Sequence, residues 1–144
     1  MKFGHIAISV SSLKISGAFY RKYFGMVCAG RFHVKPAGLT IAMLKKNGMC
    51  LELFESEKTK RLPAYRRELD SDLRTLGVKH FCFETAGIKR FYEKLKKARV
   101  PFAVDMRFFE DGRRYFFIKD PDGILVEIME PVRGSSVRKS RGSM

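Results

Sequence analysis

The chain repeats itself. At an offset of 75 residues, Asn47-Gly48-Met49-Cys50-Leu51-Glu52-Leu53-Phe54-Glu55 falls on Asp122-Gly123-Ile124-Leu125-Val126-Glu127-Ile128-Met129-Glu130. Each copy begins with a turn dipeptide, Asn-Gly or Asp-Gly, and runs into an apolar strand carrying Glu at the same place. At the same offset His5-Ile6-Ala7-Ile8-Ser9-Val10 falls on His80-Phe81-Cys82-Phe83-Glu84-Thr85, and Leu13-Lys14 falls on Ile88-Lys89. Several matches in one register favour two similar modules that share a core.

Local periodicity predicts the same element order in both. In the first module, Lys2 to Val10 alternates as a strand, with Ile6, Ile8 and Val10 on one face and His5, Ala7 and Ser9 on the other. Ser11-Ser12 offers N-cap oxygens to an amphipathic helix from Leu13 to Phe24, stopped at Gly25. Strands follow over Met26 to Val34, Leu39 to Leu44 and Met49 to Glu55, with turns at Pro36-Ala37-Gly38 and Asn47-Gly48. In the second module, a strand from Lys79 to Thr85 and a helix from Ile88 to Ala98 precede strands at Pro101 to Phe108, Arg113 to Lys119 and Ile124 to Glu130. The tight turn Asp120-Pro121-Asp122-Gly123 leads into the last strand. The expected organisation is a βαβββ module over 1–56, a helical connection over 57–78 with its helix around Ala64 to Leu76, a second βαβββ module over 79–131 and a basic, flexible tail over 132–144. The fold class is α+β.

Strand alternation then singles out four residues. His5, Glu52, His80 and Glu127 each face away from the apolar side of their strand, and 47 residues separate the His from the Glu in both modules. Imidazole and carboxylate are ordinary ligands for divalent metals. If the sheet curls, the four point into one cavity, with Cys50, Phe54, Cys82, Leu125 and Met129 lining it. Glu55 and Glu130, three residues beyond two of these, fall on the other face and read as exposed charges at strand ends. His33 has no counterpart at the offset and reads as a surface residue.

Composition narrows the partners. There are 29 Lys and Arg against 15 Asp and Glu. That excess raises the prior for anionic ligands. The basic residues are spread along the chain, and no zinc-finger, RNP or recognition-helix signature accompanies them, so nucleic acid is not expected. No run of about 18 apolar residues and no signal-peptide pattern occur, which argues against membrane and export. Three cysteines without a Cys-x-x-Cys pair read as reduced thiols of a cytoplasmic protein.

With these motifs in hand, the chain resembles the vicinal oxygen chelate superfamily of glyoxalases, bleomycin resistance proteins and dioxygenases. The resemblance rests on His5 in His-Ile-Ala-Ile-Ser-Val, Glu52 in Leu-Glu-Leu, His80 in Lys-His-Phe-Cys-Phe, and Asp120-Pro-Asp-Gly-Ile-Leu-Val-Glu127. It implies two βαβββ modules forming an incomplete barrel around a divalent metal, often in a homodimer, with some metal sites completed across the subunit interface. The order His, Glu, His, Glu is similar to that of glyoxalase I (lactoylglutathione lyase). It implies metal ligands His5, Glu52, His80 and Glu127, with Glu127 as proton carrier and Glu52 assisting. The ion expected is Ni, Co or Zn, with Fe or Mn next. The implied reaction shifts a proton on an α-hydroxycarbonyl or hemithioacetal through an enediolate, on a small-molecule substrate that is anionic or thiol-conjugated. Two alternatives share the scaffold: an Fe(II) ring-cleaving dioxygenase or acyl-thioester epimerase, and a non-catalytic resistance protein that sequesters a drug or metabolite.

Overall fold

The computed structural model describes residues 1–132, so the basic tail lies almost wholly outside the described residues. The first module consists of β1 (Ile6–Ser9), α1 (Leu13–Phe24), β2 (Val27–Val34), β3 (Leu39–Lys46) and β4 (Met49–Glu55). The second consists of β5 (Phe81–Glu84), α3 (Ile88–Lys97), β6 (Phe102–Phe108), β7 (Arg114–Lys119) and β8 (Leu125–Met129). Each module forms one open four-stranded sheet, ordered β1-β4-β3-β2 and β5-β8-β7-β6. In each, the first strand lies parallel to the last and the other pairs are antiparallel. The registers repeat as the sequence does: Ile6 pairs with Leu51 and Ala7 with Glu52, while Phe81 pairs with Val126 and Cys82 with Glu127.

Local chemistry accounts for the boundaries. Ser12 caps α1 by accepting from the Ile15 N–H at 3.3 Å, and Gly25 ends it at φ 66°. Asn47 and Gly48 both take positive φ, 48° and 81°, as a two-residue turn between twisted strands demands. Glu55 and Glu130 are not the exposed charges expected. The Glu55 carboxylate accepts the Leu13 N–H at 2.5 Å and so holds the first turn of α1. The Glu130 carboxylate accepts the Arg114 N–H at 2.8 Å and pairs with the Arg114 guanidinium. Both carboxylates therefore satisfy backbone donors, one at the start of α1 and one at the start of β7.

Helix α1 joins the modules. Phe24 stacks on Phe83 at 4.2 Å between centroids, and Tyr20 meets Phe81 at 6.2 Å. One continuous core results, containing Tyr20, Phe24, Leu53, Leu95, Phe116 and Ile128. The Asp-Pro-Asp-Gly turn docks on the same helix. Asp120, buried, accepts from the Tyr20 hydroxyl at 2.8 Å and from the backbone N–H groups of Asp122 and Ile124. Asp122 accepts from the Ser11 N–H at 3.0 Å and the Ser16 hydroxyl at 3.4 Å.

Burial raises the Asp120 carboxyl above the usual range, and the hydrogen bonds it accepts from Ile124, Tyr20 and Asp122 offset only part of this. A carboxyl raised in the fold gives its full contribution to stability below its unfolded pKa of about 3.9 and loses it as pH climbs through the folded value. Asn at this position keeps one acceptor oxygen and cannot ionise. Asp120→Asn is therefore expected to gain stability relative to the parent as pH rises from 4 to 7, as followed by urea denaturation. A difference that stays constant with pH would contradict that reading.

The connection is less regular than the expected helix. It contains a 3-10 turn at Ala64–Arg67 and a single helical turn, α2, at Leu69–Asp72. Side chains hold it instead. Asp72 is 1% exposed and faces Arg66 Nε at 3.1 Å and Lys79 Nζ at 3.2 Å. Arg66 also donates to the Val78 carbonyl at 2.8 Å, and Lys79 to the carbonyls of Asp72 and Thr75. This buried cluster fixes the two residues that precede His80.

Candidate metal centre

The repeat register puts each His one residue before a first strand and each Glu within the parallel strand beside it. His5 Nε2 lies 3.4 Å from the Glu52 carboxylate, and His80 Nε2 lies 3.1 Å from that of Glu127. Two ligands bonded to one ion at about 2.1 Å and at right angles stand about 3.0 Å apart, so each pair has the spacing of neighbouring metal ligands. Two neutral imidazoles and two carboxylates would also balance a divalent charge. The donor set fits such an ion.

The four do not meet within one chain. Among the described residues, no group of three or more His, Cys, Asp or Glu is close enough to hold a metal. The single-chain cavity expected from a curling sheet is therefore not formed. The modules pack through α1, the aliphatic Ile6 and Ile8 of β1 and the aromatic face of β5, and each sheet keeps its own His–Glu pair. What one chain presents is two separate His–Glu pairs.

The two are not equally enclosed. The His5 side chain is 48% exposed, against 29% for His80. The His80 ring meets Phe117 edge-on at 4.9 Å. Its Nδ1 is buried and has no hydrogen-bond partner among the described residues. An unpaired buried nitrogen costs about 1–3 kcal/mol, an expense more often met at functional sites than in plain cores. Beside it, burial and the charge of Glu127 push the Cys82 thiol up to about 12, although part of the residue reaches solvent. That thiol stays protonated at neutral pH, in keeping with a small lining group. Cys50 and Cys82 line one largely apolar cleft of about 360 Å3 between the modules, together with Phe3, Ile6, Met26 and Phe81. His33 is exposed, and its ring meets the Thr40 hydroxyl at 3.2 Å. The arginines of the β6–β7 loop are engaged locally, Arg113 with Asp111 and Arg114 with Glu130.

The fold and these paired residues define a class. The model of the Glyoxalase/Bleomycin resistance protein/Dioxygenase superfamily matches residues 2–128, and the chain belongs to this vicinal oxygen chelate superfamily. No curated protein matches the chain. Solved structures share its fold. A glyoxalase family protein from Enterococcus faecalis is 24% identical, with a TM-score of 0.75 over 90% of this chain and 97% of its own. The trypanothione-dependent glyoxalase I of Leishmania major is 22% identical, with a TM-score of 0.70 over 90% and 86%. The fosfomycin resistance protein FosX of Listeria monocytogenes is 15% identical, with a TM-score of 0.67 over 92% and 95%. Among the described residues, no helix is long and apolar enough to cross a membrane.

Proposed function

We propose that the chain is a metal-dependent lyase or isomerase of glyoxalase I type, working as a homodimer in which His5 and Glu52 of one subunit face His80 and Glu127 of the other. The observation that carries this reading is the pair of His–Glu contacts, each at ligand spacing yet apart within the chain. Twofold symmetry supplies each half-centre with the complementary half twice over, giving two equal sites per dimer. A similar fold in a trypanothione-dependent glyoxalase I is in keeping with a thiol-conjugated substrate.

A divalent ion in such a site supplies Lewis-acid polarisation of the substrate's neighbouring oxygens. The protein's own groups do the rest. His5 and His80 would hold the ion through their imidazoles, and Glu52 and Glu127 would offset its charge. Glu127, on the more enclosed side and beside Cys82, takes a proton from one carbon of the substrate and returns it to the next. Phe117, packed edge-on against His80, places an apolar ring beside this pair.

Elemental analysis of the purified protein, paired with turnover of the hemithioacetal formed from methylglyoxal and a thiol, tests the reading. The expected result is one Ni, Co or Zn per chain and metal-dependent isomerisation. Iron with oxygen consumption would point to a dioxygenase, and metal-free protein that binds a drug would point to a resistance protein; either would reject the proposal.

A further inference from the structure

A second cleft lies away from the His–Glu pairs, where the start of the connection meets the Asp-Pro-Asp-Gly turn. Its volume is about 390 Å3, within the range of small-molecule sites. Lys60, Arg61 and Arg67 line it, with the hydroxyl-bearing Ser9, Ser11 and Thr59. The three cations have no ion-pair partner among the described residues. Several cations elsewhere are instead committed to carboxylates. Arg66 and Lys79 face Asp72, Lys119 faces Glu68, and Arg113 and Arg114 face Asp111 and Glu130. The one carboxylate of the cleft, Asp122, already accepts from the Ser11 N–H and the Ser16 hydroxyl.

Arg67 is held in place. Its Nε donates to the Leu62 carbonyl at 3.0 Å, and its stem lies so close over Gly123 that a Cβ there would come within 3.0 Å of Arg67 Cδ. Among the described residues the outer guanidinium nitrogens remain free to donate. A guanidinium fixed before binding loses less rotamer entropy when it takes an anion. Burial of a single negative group among three cations also lowers their mutual repulsion.

We propose that this cleft binds the anionic group, carboxylate or phosphate, of a small-molecule ligand. Arg67 supplies a fixed two-pronged donor, and Lys60 and Arg61 close over the anion from the exposed side. The site is formed within one chain and does not depend on the metal reading. Ser9, the last residue of β1, lies four residues on from His5, which immediately precedes that strand, or about 13 Å at the rise of a strand. One extended ligand can therefore reach both places.

Calorimetric titration of the full chain with inorganic phosphate and with succinate, against chloride at equal ionic strength, tests the proposal. Saturable binding of one phosphate or succinate per chain is expected, and the tighter of the two identifies the group. Lys60→Gln with Arg61→Gln is expected to weaken it about tenfold or more, since two charge-assisted contacts are lost. Lys89→Gln with Arg90→Gln on α3 removes the same charge elsewhere and is expected to leave the affinity within about twofold, as screened, distant charges should. No saturable binding of either anion would overturn the proposal. So would an equal loss in both double variants, which would show a general charge effect.

Discussion

Glu127→Gln is expected to slow hemithioacetal turnover by about 10²-fold or more while retaining part of the bound metal, the usual scale for loss of a positioned base. Gln keeps an oxygen that can ligate but has no basic carboxylate. The two glutamates are almost equally screened from solvent, at 13% and 12% side-chain exposure, so burial does not tell them apart. Their neighbours do. Glu127 sits between His80, itself packed on Phe117, and the Cys82 thiol, whereas Glu52 pairs with Ala7 and a half-exposed His5. Low water content strengthens a carboxylate that must compete for a carbon-bound proton. Glu52→Gln is therefore expected to lose less turnover. Bound metal and kcat measured on both variants check this; a metal-loaded and fully active Glu127→Gln would remove Glu127 as the proton carrier.

Asp72→Ala is expected to destabilise the protein by about 2–4 kcal/mol, somewhat under the full cost of leaving a buried ion pair uncompensated because Arg66 is a third exposed. Two cations would then share a site with no carboxylate, and Lys79 would keep only carbonyl partners. The effect should not stop at stability. Arg66 and Lys79 anchor the backbone just before His80, so loosening them is expected to free the His80–Glu127 pair as well. Urea denaturation is expected to show the loss, with Asp72→Asn milder because one acceptor oxygen remains. A loss under about 0.5 kcal/mol, the scale of an ordinary surface substitution, would show that the cluster is solvated rather than structural.

Most elements could be read from the chain because their signals are local. Ser12 and Gly25 bracket α1, and Asn47-Gly48 admits the positive φ of a tight hairpin. The connection failed to form the expected helix for a reason that no periodicity carries. Its backbone is tied by long side chains, Arg66 to Val78 and Lys79 to Thr75, whose partners are decided by the tertiary fold. Glu55 was misread for the same reason: its partner, the Leu13 N–H, is distant in sequence, so alternation alone placed the carboxylate in solvent. At the site, the repeat identified four residues and the structure brings them together in twos. Whether the two modules of a chain close on each other or turn their ligand faces apart depends on which surfaces α1 covers. The contacts of Phe24 with Phe83 and of Tyr20 with Phe81 bear on that packing, and their helix partners, Tyr20 and Phe24, lie outside the repeated motif.

The shared centre can be tested directly by co-expressing His5→Ala and His80→Ala chains and measuring turnover and tightly bound metal in the mixture. Each variant alone spoils both sites of its dimer. In a mixed dimer one site collects both damaged halves and the other is intact. Random pairing makes half the dimers mixed, so about one quarter of the parental sites should return. Recovery near that level, absent from either variant alone, is the result expected. No recovery from a mixture shown to contain mixed dimers would contradict a centre built from His5 and Glu52 of one subunit with His80 and Glu127 of the other.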